Sequence, residues 1–199
     1  KGNMVLDRRS DDGRQLALQD VEQAVPELLV MAIGNGLLRA GDYITLGGDG
    51  RIDTPIIIGK LADIITGMGI NVASVGYNLT TPSVEYLADR YTTKAAIMVT
   101  ASHLPYIQNG LKISFLSHPS PILPEEAERE KRGMAEILHL EDEADNAYHR
   151  LLLETVDSCE GISLCVDHMH GTTAKIFPRV VEEKGGRILG ELRNIVNGF

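Results

Sequence analysis

Three short apolar runs that alternate with polar loops and helix-like segments constrain the fold more than any other feature of this chain. The runs are Tyr43–Leu46, Ile70–Val75 and Ala95–Val99, and their length and aliphatic content are typical of buried strands. Thr-Pro pairs at residues 54 and 81 predict helices after the first two runs, because proline is favoured in the first helical turn. This alternation predicts an α/β fold with a mixed, largely parallel sheet and helices on both faces.

The order of these segments predicts one full domain and part of another. Residues 1–20 are polar and lack periodicity, so we expect a mobile amino-terminal arm. Residues 21–145 are expected to form the first domain. Residues 146–199 contain a linking helix and one further strand–helix–strand unit, which is the start of a second, truncated α/β domain of similar design.

Two other segments of the first domain are expected to be helical. The pair Pro26-Glu27 opens the first helix, and Gly41 is expected to end it. The second segment is Glu125–Asp145, in which nine acidic residues are interleaved with basic residues and with an apolar side. This pattern favours a solvated helix over an acidic interaction tail.

Charge and composition exclude several classes of partner. The formal net charge is −9, and aromatic residues make up 5% of the chain with no tryptophan, so we expect neither nucleic-acid nor membrane binding. The two cysteines, Cys159 and Cys165, are expected to be reduced thiols. No apolar run approaches the roughly 18 residues that cross a membrane, and the first residues lack a signal-peptide core. We therefore expect the cytoplasm or an organelle stroma, while the sequence leaves the oligomeric state open.

The segment after the third run carries residues suited to phosphate chemistry. The strand Ala95–Val99 breaks into Thr100-Ala101-Ser102-His103, turns at Asn109-Gly110 and resumes with Leu111-Lys112. A serine at the carboxyl end of a buried strand faces the crevice where open α/β sheets bind ligands. His103 can bring a proton carrier to that hydroxyl, and Lys112 can bring a positive charge. The alternative is a polar surface turn, since proline and Asn-Gly explain a turn without any function.

A glycine-rich loop, Gly47-Gly48-Asp49-Gly50-Arg51, follows the first run. Its glycines let the backbone approach a neighbouring loop, and the planar fork of Arg51 can hold two phosphate oxygens. A plain strand-to-helix turn with an exposed arginine is the alternative. Neither G-x-G-x-x-G nor the G-K-[ST] of a P-loop is present, so the loop does not indicate nucleotide binding. No G-x-S-x-G surrounds Ser102, which disfavours a serine hydrolase.

These motifs resemble those of the α-D-phosphohexomutases. The segment from Thr100 to Lys112 matches seven of the eight fixed letters of that family's phosphoserine loop, T-x-S-H-N-P-x-x-x-N-G-x-K. It departs at Leu104, where the family usually has asparagine. The GGDGR loop resembles the family's G-x-D-x-R loop, and Gly76 with Thr81-Pro82 resembles its helix-opening loop. The resemblance covers residues 20–199.

The resemblance implies the amino-terminal portion of a phosphoglucomutase- or phosphomannomutase-type enzyme that interconverts hexose 1-phosphates and hexose 6-phosphates. Ser102 would donate a phosphoryl group to the sugar phosphate and recover one from the bisphosphorylated intermediate. Arg51 and Lys112 would offset the phosphate charge, Lys112 would carry the proton, and His103 would orient the phosphoserine or share in proton transfer.

The same resemblance implies two accessory components. Mg²⁺ would bind through the phosphate on Ser102, with its remaining ligands beyond this chain, and a hexose 1,6-bisphosphate would act as activator. The chain by itself is not expected to turn over. Which hexose phosphate is preferred stays open.

Leu104 leaves a second function open. A catalytically decayed loop would make the protein a sugar-phosphate-binding or assembly module. Replacing the asparagine removes an amide, at a cost of about 1–3 kcal/mol if a buried partner is left unpaired.

Two histidines lie close together in the last part of the sequence. His168 and His170 flank one residue, but an H-x-H pair without a third ligand is weak evidence for zinc. The surrounding Asp167–Gly171 segment resembles the Asp-x-x-x-Gly turn that opens the second domain of the mutases. These histidines are therefore expected to be loop residues.

Overall fold

A computed structural model describes residues 3–6, 15–105, 108–118 and 120–195, with the backbone alone described before residue 21. A seven-stranded sheet forms the first part of the molecule, in the spatial order β1-β5-β4-β2-β3-β7-β6. Its strands are β1 (Asn3–Leu6), β2 (Tyr43–Gly48), β3 (Asn71–Gly76), β4 (Ala95–Val99), β5 (Leu111–Phe115), β6 (Glu128–Arg132) and β7 (Ala135–His139). Strands β2, β3, β4 and β7 are parallel, whereas β1, β5 and β6 pair antiparallel with their neighbours.

Four helices cover the two faces of this sheet: α1 (Gln15–Gly34), α2 (Thr54–Gly67), α3 (Thr81–Arg90) and α4 (Glu141–Thr155). Helices α1 and α2 pack on one face, and α3 and α4 pack on the other. Strand β4 is a continuous apolar run because both of its faces are buried. Ile97 and Val99 belong to the core on the side of α1 and α2, and Ala96 and Met98 belong to the core on the side of α3 and α4. The predicted α/β class, with a largely parallel sheet and helices on both faces, is confirmed.

A smaller unit follows α4. It consists of β8 (Ser163–Asp167), a 3-10 helix (Thr172–Lys175), α5 (Phe177–Glu183) and β9 (Arg187–Leu192). Strands β8 and β9 pair in parallel as a two-stranded sheet. The predicted strand at 187–192 is confirmed, and the predicted strand at 162–166 lies one residue further along the chain. The unit contacts α4 through an ion pair between Lys175 and Asp145.

The predicted solvated helix over Glu125–Asp145 is wrong. Strands β6 and β7 occupy the middle of that segment and are joined at Gly133, whose φ is +58°, while its last five residues begin α4. β7 is held by parallel pairing with β3, in which Val72 faces Ile137. All five residues of β6 are charged. β6 is an edge strand, where charge protects an exposed edge from pairing with other chains.

The predictions for the amino-terminal region also need correction. The structure places Asn3–Leu6 in a strand paired with β5 and begins α1 at Gln15, where a mobile arm was expected; residues 1–2 and 7–14 lie outside the described residues. Pro26 lies inside α1 rather than at its start. An internal proline costs about 3 kcal/mol, but Val25 and Leu29 beside it are fully buried. The helix ends at Gly34, before a left-handed Gly36, and not near Gly41.

The topology defines where a ligand can bind. β2 lies between β3 and β4, and the helices that follow β2 and β3 cover opposite faces. The loops after these strands therefore diverge at the carboxyl edge of the sheet and leave a crevice between them. Within the described residues, no helix combines the length and apolarity needed to span a bilayer.

Candidate active site

A cleft of about 890 Å³ opens at this carboxyl edge. Its walls come from the loops that follow β2, β3 and β4, and from the loop that follows β8 in the smaller unit. The lining residues include Asp49, Arg51, Tyr77, Leu79, Thr100, Ser102, His103, Leu104, Met169 and His170. The cleft thus gathers three of the four residues to which the sequence assigns a role.

Ser102 lies exposed in this cleft at the tip of the loop after β4. Its φ is +53°, a left-handed conformation that non-glycine residues rarely adopt. The backbone N–H of Ser102 donates to the hydroxyl of Thr100 at 3.0 Å, which closes a tight turn. His103 follows directly and is also exposed. A strained turn that presents a hydroxyl to a cleft is typical of a functional loop.

Arg51 holds this loop from the neighbouring strand end. Its Nε donates to Asp49 Oδ2 at 3.1 Å. Its Nη atoms reach four backbone carbonyls of the loop at 2.6–3.1 Å, those of Ser102, Leu104, Pro105 and Gln108. All five N–H groups of the guanidinium are thereby engaged. The expected two-oxygen grip on phosphate therefore has no donors left, although the positive charge stays close to Ser102.

Asp49 connects the arginine to the rest of the site. Its Oδ1 accepts from the backbone N–H of Arg51 at 3.1 Å and from the Thr54 hydroxyl at 3.2 Å. Its Oδ2 accepts from the Thr100 hydroxyl at 2.7 Å. Thr100 in turn accepts the Ser102 amide, so a chain of hydrogen bonds links Asp49 to the backbone of Ser102.

The far end of the loop joins the same network. The Asn109 side-chain amide donates to the Thr54 hydroxyl at 3.2 Å, and the backbone N–H of Thr100 donates to the Gly110 carbonyl at 2.9 Å. The sequence analysis gave no individual role to Asp49, Thr54 or Thr100. Polar residues at the ends of two adjacent buried strands were the signal that could have found Asp49 and Thr100.

The glycines of the first loop permit the close packing that this network needs. A Cβ on Gly48 would lie 2.3 Å from Cγ2 of Thr54, and a Cβ on Gly47 would lie 2.8 Å from Cγ2 of Val75. Neither position has room for a side chain. The predicted close approach of this backbone to its neighbours is confirmed.

Lys112 lies beside the cleft floor. It pairs with Met98 across β5 and β4, and directly opposed residues project from the same face of a sheet. Met98 lines the cleft, but Lys112 is only partly buried and is not among the described lining residues. The roles given to Ser102, His103, Lys112 and Arg51 stay predictions.

Leu104 keeps its backbone hydrogen bonds in spite of the missing asparagine. Its N–H donates to the Ala101 carbonyl at 3.0 Å, and its carbonyl accepts from Arg51 at 2.9 Å. The orphaned buried side-chain atoms among the described residues all lie elsewhere, on Asn78, Tyr91, His118 and His149. The structure therefore shows no unpaired group around Leu104 in the described part of the loop.

The loop after β8 forms the opposite wall. Met169 and His170 have φ values of +49° and +58°. The backbone N–H of Met169 donates to Asp167 Oδ1 at 3.0 Å and, with the adjacent Arg193, holds the pKa of that carboxyl below its usual value. His170 Nδ1 donates to the Ile195 carbonyl at 2.8 Å.

His168 and His170 have different side-chain partners. His168 is buried, and its Nε2 lies 2.9 Å from Glu191 Oε1. Across the described ranges, no group of three or more histidine, cysteine, aspartate or glutamate side chains is placed to hold a metal ion. The described residues therefore do not provide a Mg²⁺ site by themselves.

Comparison with known proteins agrees with the geometry. The family model for phosphoglucomutase/phosphomannomutase, alpha/beta/alpha domain I, matches residues 7–137. A phosphoglucosamine mutase from Shewanella denitrificans is 33% identical over 182 residues, which cover 82% of this chain and 40% of that protein. A phosphoglucosamine mutase from Corynebacterium efficiens is 29% identical, over 77% of this chain and 37% of that protein. The chain therefore spans less than half the length of these relatives.

Solved structures show the same fold. A phosphoglucomutase/phosphomannomutase family protein from Burkholderia thailandensis superimposes with a TM-score of 0.63 at 21% identity, covering 98% of this chain and 43% of that one. A structure from Thermus thermophilus gives the same TM-score of 0.63 at 23% identity, covering 98% and 45%. At these identities the likeness bears on the fold alone.

Proposed function

The chain belongs to the phosphoglucomutase/phosphomannomutase family, and from that premise we propose that it carries the phosphoserine side of a phosphohexomutase active site. The full-length protein would interconvert hexose 1-phosphates and hexose 6-phosphates. The observation that carries this proposal is Ser102, exposed in the cleft on a left-handed turn that Arg51 holds through four backbone carbonyls. The phosphosugar mutases among its relatives support the reaction class.

The reaction needs two phosphoryl transfers at Ser102. In the first, a free hydroxyl of the sugar phosphate attacks phosphoserine; a new P–O bond forms to the sugar, and the bond to Ser102 Oγ breaks. In the second, Ser102 Oγ attacks the other phosphoryl group of the bisphosphate, whose ester oxygen leaves as a hydroxyl. A hexose 1,6-bisphosphate serves as this intermediate and as activator.

Each transfer also moves a proton, because the attacking sugar hydroxyl loses one and the leaving ester oxygen gains one. We assign its transfer to Lys112, whose amine would take the proton of the attacking hydroxyl and return it to the leaving ester oxygen. This assignment is supported by the position of Lys112, which is the cross-strand neighbour of the lining residue Met98. His103, exposed next to Ser102, would orient the phosphoserine or share this task.

Arg51 contributes alignment in this scheme. Phosphoryl transfer asks the protein mainly for positioning and for neutralisation of charge. By binding four carbonyls of one loop, Arg51 limits the positions that Ser102 can take. Its positive charge would offset part of the roughly −1.5 to −2 charge of a phosphoserine. Lys112 would add a second positive charge once its amine has taken the proton of the sugar hydroxyl. Mg²⁺, when bound to that phosphate, would supply the remaining charge neutralisation.

The decayed-module alternative predicts sugar-phosphate binding without turnover. Leu104 is its sequence argument, but the loop around Leu104 retains its backbone hydrogen bonds. We therefore favour the enzyme.

The decisive measurement is the phosphorylation state of Ser102. Full-length protein should carry phosphate on this residue after incubation with glucose 1,6-bisphosphate and Mg²⁺, as peptide mass spectrometry would show. Ser102→Ala should abolish both the phosphopeptide and turnover of glucose, mannose or glucosamine 1-phosphate. Ser117→Ala, which changes another exposed serine, should alter neither. Absence of phosphate from native Ser102 after this treatment would exclude the covalent mechanism.

A further inference from the structure

Tyr77 is an exposed aromatic ring at the mouth of the cleft. Its exposed fraction is 47%. The other tyrosines that the structure describes, at positions 43, 86, 91 and 148, are buried or half-buried. Aromatic residues make up only 5% of this chain, so an exposed ring beside the candidate active site calls for an explanation.

The backbone around Tyr77 directs the ring outward. Gly76 and Asn78, its two neighbours, have φ values of +81° and +65°. A Cβ on Gly76 would lie 2.9 Å from Cγ of Glu141, so the first neighbour packs closely against α4. After Asn78, the N–H of Leu79 donates to the Gly48 carbonyl at 2.9 Å. Two left-handed residues and these contacts fix the position of the tyrosine at some cost in strain.

Tyr77 stands on a ridge between two clefts. With Pro55 it borders both the cleft that contains Ser102 and a neighbouring cleft of about 640 Å³. On the Ser102 side, the apolar side chains of Ile52 and Leu79 also line the wall. An aromatic ring with aliphatic neighbours is the kind of surface that lines small-molecule sites, where a few polar groups then fix the orientation.

We propose that the ring of Tyr77 is the platform on which the hexose ring of the substrate packs while its reacting oxygen faces Ser102. This inference rests on the proposed mutase function and names the part of the site that would bind the sugar rather than its phosphate.

The physical basis is the polarity of the two rings. The face of an aromatic ring is electron-rich, and the C–H groups on one face of a pyranose carry partial positive charge. Such a contact accepts either direction of the sugar, because it does not depend on a particular hydroxyl. That property suits a reaction whose bisphosphate intermediate must present each of its two phosphates in turn to Ser102.

The test separates sugar binding from phosphate binding. Calorimetry would compare glucose 1-phosphate with inorganic phosphate as ligands of the full-length protein, in a Ser102→Ala background that prevents transfer. Tyr77→Ala should raise the Kd for glucose 1-phosphate about tenfold, equivalent to 1.4 kcal/mol, and leave the Kd for inorganic phosphate unchanged. Tyr77→Phe, which keeps the ring, should bind both ligands as the parent does.

Ile56→Ala is the matched control. Ile56 is a 58% exposed residue on α2 that is not among the described residues lining either cleft. Its replacement should change neither Kd. In the protein with Ser102 intact, Tyr77→Ala should raise KM and leave kcat nearly unchanged.

Three results would overturn the assignment: unchanged binding of the sugar phosphate by Tyr77→Ala, equal weakening of both ligands, or no binding of glucose, mannose or glucosamine 1-phosphate by the parent. Equal weakening would mean that the ring only supports the loop. These results differ from failure of the mutase proposal, which would appear as retained sugar-phosphate binding without phosphorylation of Ser102.

Discussion

Two of the loops that line the cleft follow strands of different sheets, β4 and β8. Their turns are similar, but the contacts that fix them differ. Each follows a strand, and each contains non-glycine residues with positive φ: Ser102 in one, Met169 and His170 in the other. In each, a polar side chain at the strand end accepts a backbone N–H two residues on; Thr100 does so in the first loop and Asp167 in the second. Each also has an arginine partner.

The difference lies in what the arginine reaches and how deeply it is buried. The side chains of Arg51 and Asp49 are 11% and 15% exposed, and Arg51 binds four carbonyls of its loop. Those of Arg193 and Asp167 are 50% and 34% exposed. The Arg193 guanidinium reaches the loop by a salt bridge to the Asp167 side chain, and the Arg193 backbone carbonyl accepts from the His170 N–H at 3.0 Å. Exposed ion pairs contribute about 0–1 kcal/mol.

Similar local turns are thus supported to different extents. Within the described residues, the first loop extends from a seven-stranded sheet with two buried faces, whereas the second extends from a two-stranded sheet with mostly exposed side chains. We therefore expect the wall that carries Ser102 to be more rigid than the opposite wall.

The largest effect should come from the chemistry of the rigid wall. Lys112→Met in the full-length protein should lower kcat by about 10²–10⁴ and change KM far less, because a proton carrier acts mainly in the transition state. Steady-state kinetics with glucose 1-phosphate would measure both constants. A raised KM with unchanged kcat would show that Lys112 only binds phosphate.

A direct comparison of the two arginines should give the next largest effect. Arg51→Lys should lower kcat about 100-fold, since one ammonium cannot replace five N–H donors and small misplacements of reacting groups are costly. It should also lower the free energy of unfolding by about 1–3 kcal/mol, measured by urea denaturation.

Arg193→Lys is the matched substitution on the other wall. It should change kcat by about threefold or less, as expected for an exposed ion pair. Equal losses for the two arginines would mean that the two loops are equally stiff, and the contrast drawn here would be wrong.

A smaller effect is expected at Leu104. Leu104→Asn should change turnover only modestly, or reduce it by placing an unpaired amide where a half-buried leucine packs. The assay is conversion of glucose 1-phosphate or mannose 1-phosphate with Mg²⁺ and a bisphosphate activator. A nearly inactive parent that gains turnover from this substitution would instead support the decayed binding module.

The smallest effect concerns the pH response of the second loop. The N–H of Met169 and the charge of Arg193 lower the pKa of Asp167 in the folded protein. This lowered pKa of Asp167 stabilises the folded protein at pH values above about 3.9, the usual pKa of an aspartate in an unfolded chain. The contribution is lost as the pH falls through the pKa that Asp167 has in the folded protein.

Methionine-selective ¹⁵N NMR of the full-length protein would follow the Met169 amide. Its shift should titrate with a midpoint below about 3.9 and should stay flat in Asp167→Asn. A midpoint at or above about 3.9, the usual pKa of an aspartate, would contradict the hydrogen bond between Asp167 and the Met169 N–H.

The sequence predicted the elements whose local signals agree with their environment. The apolar runs at β2, β3 and β4, the Thr-Pro helix starts of α2 and α3, and the strand at β9 all appear where expected. The loop at Thr100–His103 was predicted from its residues alone, because a serine that follows a buried strand lies at the carboxyl edge of the sheet. The family was named from the spacing of that loop, and the comparison with known proteins confirmed it.

Other elements depended on contacts that no local pattern reveals. The charged segment over β6 and β7 has helix-compatible residues, and only pairing with β3 makes it a hairpin. Pro26 is tolerated inside α1 because the residues around it are buried against the sheet. Such tertiary contacts outweigh helix propensities of a few tenths of a kcal/mol for ordinary residues and of about 3 kcal/mol for proline.

The amino-acid pattern was enough to predict the α/β architecture, the position of the Ser102 loop and the family. How the loop is held depends on tertiary contacts: Arg51 gives its five donors to Asp49 and to four carbonyls instead of pointing at an anion. An arginine looks the same in the sequence whether its guanidinium binds backbone carbonyls or an anion. Its acceptors are chosen by which backbone groups the fold leaves unpaired nearby, and residues about 50 positions apart become neighbours only after the sheet has formed.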